Sequence, residues 1–140
     1  MTKLLNVGVV GFSGAKFNEN VAKALIAIAL DVVEENNEAD EYALVSGLTD
    51  MGVPAIAYRA ADKRGWKTVG IACSEANDYE CYDVDEKIIE GENWGDESKT
   101  FLDYIDVLVR IGGGKQSMEE TKKAKEMGKS VYEYDLPEIK

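Results

Sequence analysis

Apolar runs rich in β-branched residues alternate along this chain with segments of helical periodicity, and that alternation constrains the fold more than any other feature. Leu4 to Val10 is apolar enough for a buried strand and breaks at Gly11-Phe12-Ser13-Gly14. From Asn18 to about Glu35, Val21, Ala24, Leu25, Ile28, Ala29, Val32 and Val33 recur three and four residues apart, which makes one broad stripe on a helix. Tyr42 to Ser46 reads as a second strand ending at Gly47. Val53, Ile56, Ala57, Ala60 and Ala61 repeat the helical spacing, with Pro54 tolerated in the first turn and Gly65 closing the helix. Thr68 to Ala72 is a third strand, followed by an acidic stretch with a short strand near Lys87 to Ile89. A helix over Asp96 to Asp103 leads into the strand Ile105 to Ile111. Ser117 with Glu120 fits a capping box for a helix that reaches Met127 and stops at Gly128, before a last strand at Val131 to Tyr134. Continuous apolar strands separated by amphipathic helices predict an α/β, Rossmann-like, doubly wound and mostly parallel sheet with helices on both faces, one domain over residues 1–140.

In such sheets ligands bind beyond the carboxyl ends of the strands, where the strand order reverses. Three glycine-bearing turns fall at predicted strand ends. The first supplies Gly11, Ser13 and Gly14, with Lys16 just beyond; the second supplies Ser46, Gly47 and Gly52. The third, Gly112-Gly113-Gly114, runs into Lys115 and Gln116 and opens a helix. Glycine lets the backbone approach a ligand, and a helix start offers free N–H groups and partial positive charge, an arrangement that suits phosphate. A plain tight turn is the alternative for any one of these loops; convergence of three on one crevice favours ligand binding. None is a G-x-G-x-x-G fingerprint in the expected place or a Walker A loop, which argues against NAD and against ATP hydrolysis.

Charge and composition narrow the classes further. The formal net charge is −11, and the segment Glu75 to Asp106 carries twelve acids against Lys87 and Lys99, so the remainder is nearly neutral. That balance argues against nucleic-acid binding, which needs clustered Lys and Arg. Asp83, Asp85 and Glu86 offer carboxylates for a divalent cation, but a solvated surface is the commoner role of such a segment and no metal site is expected. No run is long enough for a membrane span, and the beginning of the chain does not resemble a signal peptide. Cys73 and Cys81, with no histidine in the chain, suggest neither zinc nor a disulfide scaffold; buried or bystander thiols in a reducing cytoplasm are expected. The missing histidine excludes Ser-His and Cys-His nucleophiles.

Two segments resemble a known family. Ser46-Gly47-Leu48-Thr49-Asp50-Met51-Gly52, with Ala60-Ala61 and Gly65 after it, is similar to the glycine turn and alanine-paired helix of the LONELY GUY proteins. Asp106 to Gly114, continuing through Glu119, falls where that family has D-A-F-I-A-L-P-G-G-x-G-T-x-x-E. The resemblance is specific over residues 44–71 and 104–121 and looser between them. It places the chain with the SLOG superfamily, which includes cytokinin-activating phosphoribohydrolases, relatives of molybdenum-cofactor carrier proteins and nucleotide-sensing modules. By that register the catalytic glutamate corresponds to Glu119. Ile111 replaces the family proline, Lys115 a glycine and Gln116 the threonine, and the family arginine, nine residues before Asp106, falls on Glu97.

Two function classes follow. In the first, the glycine loops bind a nucleotide, a nucleotide-derived signal or a phosphorylated cofactor, with no resident cofactor of the protein's own. In the second, the resemblance implies a nucleoside 5′-monophosphate phosphoribohydrolase; Glu119 supports it, and the carboxylate at position 97 weighs against it. A scaffold whose acidic face docks a basic partner is a third, weaker reading. Lys115 and Ser13 are the side chains expected nearest a phosphate. Arg59 is expected in a surface or dimer ion pair, Trp66 and Trp94 in packing, and Tyr58 beside the site. The small apolar residues of the helix from Val53 and the resembling families together imply a homodimer.

Overall fold

The computed structural model describes residues 3–139. Six strands form one sheet in the order β4-β3-β2-β1-β5-β6, with every neighbouring pair parallel. They are β1 Leu4–Gly11, β2 Glu41–Ser46, β3 Lys67–Ala72, β4 Glu86–Ile89, β5 Val107–Ile111 and β6 Ser130–Tyr134. The connecting helices are α1 Glu19–Asn36, α2 Gly52–Lys63, α3 Ser98–Tyr104 and α4 Lys115–Glu126. The α/β Rossmann-like architecture read from the alternation is therefore the one observed.

Side-chain alternation splits the core into two layers. Leu5, Val7, Val9 and Leu44 pack on one face against Ile26, Leu30 and Val33 of α1 and Val53, Ala57 and Tyr58 of α2. Val10, Ala43, Val45 and Leu108 pack on the other against Phe101 and Leu102 of α3 and Ala124 of α4. Asn18 caps α1, its side chain accepting from Val21 N at 3.1 Å.

The boundaries of two helices differ from the sequence reading. α4 starts at Lys115, with Gly114 as its extended N-cap, so Ser117 lies inside the first turn and the capping box does not form. Ser117 Oγ instead points at Gly11 O, 3.5 Å away on the end of β1, and the Glu120 carboxylate is taken by Ser98. α3 begins at Ser98 because the Asp96 carboxylate accepts the N–H groups of Glu92 and Asn93 and holds that stretch as a turn. Other acids of the charged segment act similarly: Asp85 accepts from Thr68 N at 2.8 Å, and Glu75 from Trp94 N at 3.0 Å. Several of these carboxylates thus tie irregular backbone together rather than only facing solvent. No group of three potential metal ligands occurs among the described residues. Both cysteines are free, Cys73 buried and Cys81 half-buried.

Candidate functional site

The strand order reverses at β1, which pairs with β2 on one side and β5 on the other. A crevice of about 400 Å³ opens at the carboxyl ends of these strands. All three glycine turns reach it. The first contributes Gly11, Ser13 and Gly14; the second Ser46 and Gly47; the third Gly114, Lys115 and Gln116. The floor is apolar, with Val9, Val10, Ile71 and Phe101, and Trp94 stands at the rim.

Each turn is held from behind. Arg110, buried on β5, donates from Nη1 to Gly112 O at 2.8 Å and pairs with Glu133 and Asp135, which fixes the carbonyl at the start of the third loop. Ser46 lines the crevice, but its Oγ donates to Val9 O at 2.6 Å and so joins two strand ends. Tyr58 is fully buried in the core; its hydroxyl lies 2.7 Å from Gly47 O and 2.9 Å from Val69 O, supporting the second turn without reaching the cavity. Burial raises its phenol far above the ordinary range.

Four residues expected at the ligand do not line the crevice: Lys16, Gly52, Gly112 and Gly113. Lys16 is exposed, and its carbonyl accepts from Ile139 N. Gly52 seats the start of α2 against the first turn, where an added Cβ would lie 2.2 Å from Phe12 O, and Val53 N donates to that same carbonyl. Gly113, at φ +106°, packs against Ser117 at a distance no larger residue allows. Gly114 is the open member of the triplet: nothing lies within 4 Å of where its Cβ would be.

Glu119, the residue the resemblance assigned to catalysis, is exposed and does not line the crevice; it borders an adjoining groove that shares Trp94, Lys115, Gln116 and Glu120 with it. The next residue, Glu120, faces the cavity instead, because the start of α4 at Lys115 puts it one turn beyond Gln116 on the same helix face. Glu97 also lines the crevice, and each of the two carboxylate residues is only 7% exposed. Glu97 accepts from Gly95 N at 3.1 Å and from Gln116 Nε2 at 3.3 Å, while Glu120 accepts from Ser98 Oγ at 2.9 Å. Burial, reinforced by the charge of Glu97, raises the Glu120 carboxyl to about 7 against the opposing hydrogen bonds from Ser98 and Gln116. The sequence reading treated Glu97 as a lost arginine and Glu120 as a capping residue. Counted from Asp106, the motif D-A-F-I-A-L-P-G-G-x-G-T-x-x-E ends on Glu120, so the motif itself was the available signal, and a register one residue short assigned its glutamate to Glu119.

Two aromatic assignments also change or hold. Trp66 is buried and stacks on Tyr42 as a packing residue. Trp94 leans on Tyr79 but is 48% exposed and lines the crevice. Arg59 pairs with Asp50 at 2.9 Å and lies over the Tyr82 ring.

The N-terminus of α4 therefore meets the cavity with no side-chain cap, beside Lys115, while two buried carboxylates face the same space. The crevice thus combines a helix N-terminus that attracts anions with carboxylates that accept hydrogen bonds, the two joined through Gln116, whose Nε2 donates to Glu97.

Known structures share the fold. The molybdenum cofactor carrier protein of Chlamydomonas reinhardtii superimposes with a TM-score of 0.74 at 23% identity, over 94% of this chain and 76% of that one. The molybdenum cofactor binding protein of the phototrophic bacterium Rippkaea orientalis gives a TM-score of 0.68 at 24% identity, over 95% of this chain and 76% of that one. No curated protein matches the sequence. The sequence profile of the SLOG cluster4 family matches residues 4–139, and the chain belongs to that family.

Proposed function

We propose that the chain binds a small phosphorylated molecule, a nucleotide or a phosphorylated cofactor, in the crevice at the ends of β1, β2 and β5. The observation that carries this reading is the start of α4 at Gly114, which has no side-chain cap and whose first residues, Lys115 to Ser117, line the space shared by all three glycine turns. Lys115 adds a mobile cation and Ser13 a hydroxyl. The two structural neighbours are named as carrying or binding the molybdenum cofactor, a ligand class of this kind. Calorimetry with a panel of nucleoside 5′-monophosphates and a phosphorylated pterin tests the reading. At least one is expected to bind wild type, and Gly114→Val, which places a side chain in open crevice space, is expected to weaken it at least tenfold. Absence of binding across the panel, or equal affinity of the variant, contradicts it.

A second reading, hydrolysis of a nucleoside monophosphate to base and ribose 5-phosphate, is favoured by one observation. The Glu120 carboxyl, near 7, populates both its protonated and its ionised form at neutral pH and so can supply the proton that a departing base needs. Chromatography for free base checks it. Release lost in Glu120→Gln and retained in Glu119→Ala supports hydrolysis, and no release by wild type removes it.

We also infer a homodimer. Val21 and Ile28, 43% and 51% exposed, lie two turns apart on α1 with half-buried Leu25 between them, an apolar stripe left open beside α2. α2 itself buries most of its small residues, so the open surface is centred on α1. Light scattering should give about twice the chain mass of 15.4 kDa. A monomer mass across a wide concentration range excludes the dimer.

A further inference from the structure

The ligand-binding reading leaves unexplained why a crevice suited to phosphate also holds two buried carboxylates. A phosphate alone would be repelled by them, so their partner must be a different part of the same ligand. Glu97 and Glu120 accept protein hydrogen bonds from Gly95 N, Gln116 Nε2 and Ser98 Oγ. Two carboxylates offer about eight acceptor positions, these bonds leave most of them open, and both residues line the cavity. A carboxylate accepts and does not donate when ionised, and its two oxygens match a pair of parallel N–H donors.

The rim supplies a second constraint. The Trp94 backbone is anchored, its N–H donating to Glu75 at 3.0 Å, and its neighbour Gly95 donates to Glu97. The indole leans on Tyr79 with ring centroids 5.9 Å apart, yet Trp94 remains 48% exposed and lines the crevice. An exposed indole on an anchored backbone, lining the same crevice as apolar Phe101, suits a flat ring.

Resting on the phosphate-binding reading above, we propose that the crevice recognises a planar ring bearing a 2-amino-4-oxopyrimidine edge, the edge shared by guanine and pterins. Its ring N–H and exocyclic amino group are adjacent donors, and they pair with Glu97 and Glu120 while Trp94 covers the ring face. The phosphate of the same ligand lies at Lys115 and the start of α4. Adenine and cytosine place an acceptor beside their amino group, and hypoxanthine keeps the ring N–H but lacks the amino group, so none offers the two-donor edge. Substitution of the resembling family's arginine by Glu97 then reads as a change of ligand edge, from an acceptor to a donor pair.

The test is a calorimetric comparison of GMP, IMP, AMP and neopterin monophosphate on wild type, Glu97→Gln and Trp94→Ala. Wild type is expected to bind GMP, neopterin monophosphate or both at least tenfold more tightly than IMP and AMP. Preference within that pair identifies the source of the edge. Glu97→Gln is expected to bring the GMP-to-IMP or pterin-to-IMP ratio to within about threefold of unity. Trp94→Ala, a change at an exposed side chain, is expected to weaken every ring-bearing ligand about tenfold without changing their order. Thermal melting confirms that each variant is folded; if Glu97→Gln does not fold, the wild-type ranking and Trp94→Ala still decide. Equal binding of all four ligands by wild type overturns this inference and leaves phosphate binding standing. Failure of all four to bind overturns both.

Discussion

A single carboxyl group connects the chemistry of the crevice to the stability of the fold. Glu120 is raised from the ordinary carboxylate range to about 7, chiefly by burial and secondarily by Glu97. Its folded value therefore lies above its unfolded one. The stabilising effect of its proton is complete below about pH 4.5 and fades as pH rises through about 7. Glu120→Gln keeps the shape and removes the titration. Relative to that variant, wild type is expected to lose on the order of 2–3 kcal/mol between pH 5 and pH 8. Urea unfolding at a series of pH values measures this, and parallel curves for the two proteins would show that Glu120 ionises freely in the crevice.

Among the elements, the third glycine turn shows where sequence reading succeeds and where it stops. That a strand breaks into glycines and restarts as a helix was legible from Val107 to Glu120, because apolar β-branched residues, consecutive glycines and helix formers each carry their own local signal. The division of labour inside the triplet was not, because it depends on what each Cβ would meet. Gly113, at φ +106° and pressed on Ser117, sustains the turn, whereas Gly114 borders open space. Gly113→Val is thus expected to cost roughly 2–3 kcal/mol from left-handed backbone strain and overpacking. Gly114→Val should change stability little, since its φ of −95° suits any residue. Chemical denaturation of both variants separates the two roles, and equal destabilisation would contradict the assignment. The glutamates were misassigned for a simpler reason: a motif register one residue short gave Glu119 the place of Glu120, which lies one turn beyond Gln116 on the face of α4 turned to the cavity. Glu97 was illegible for another reason, since its burial depends on the end of α4 packed against it, 19 residues away in sequence.

At the scale of the whole molecule, the parallel sheet converts three separate loops into one site. Continuous apolar strands dictated a sheet buried on both faces, and the parallel connection rule sends every strand's carboxyl end to the same edge. That much followed from periodicity, and the four glycines that line the crevice, Gly11, Gly14, Gly47 and Gly114, all fall in the turns read at strand ends, whereas Gly52, Gly112 and Gly113 of the same turns do not line it. No described helix is long and apolar enough to cross a membrane. The net charge of −11 leaves Lys115 as the only cationic side chain lining the crevice among the described residues, so anion binding there rests largely on backbone N–H groups. That central claim is tested most directly by backbone amide NMR of the labelled chain titrated with a nucleoside 5′-monophosphate. Shifts are predicted to concentrate at residues 11–15, 46–49 and 114–117, with the third group the largest. Shifts confined to the opposite end of the sheet, around Tyr42 and Trp66, or no shifts at any position, would contradict the account.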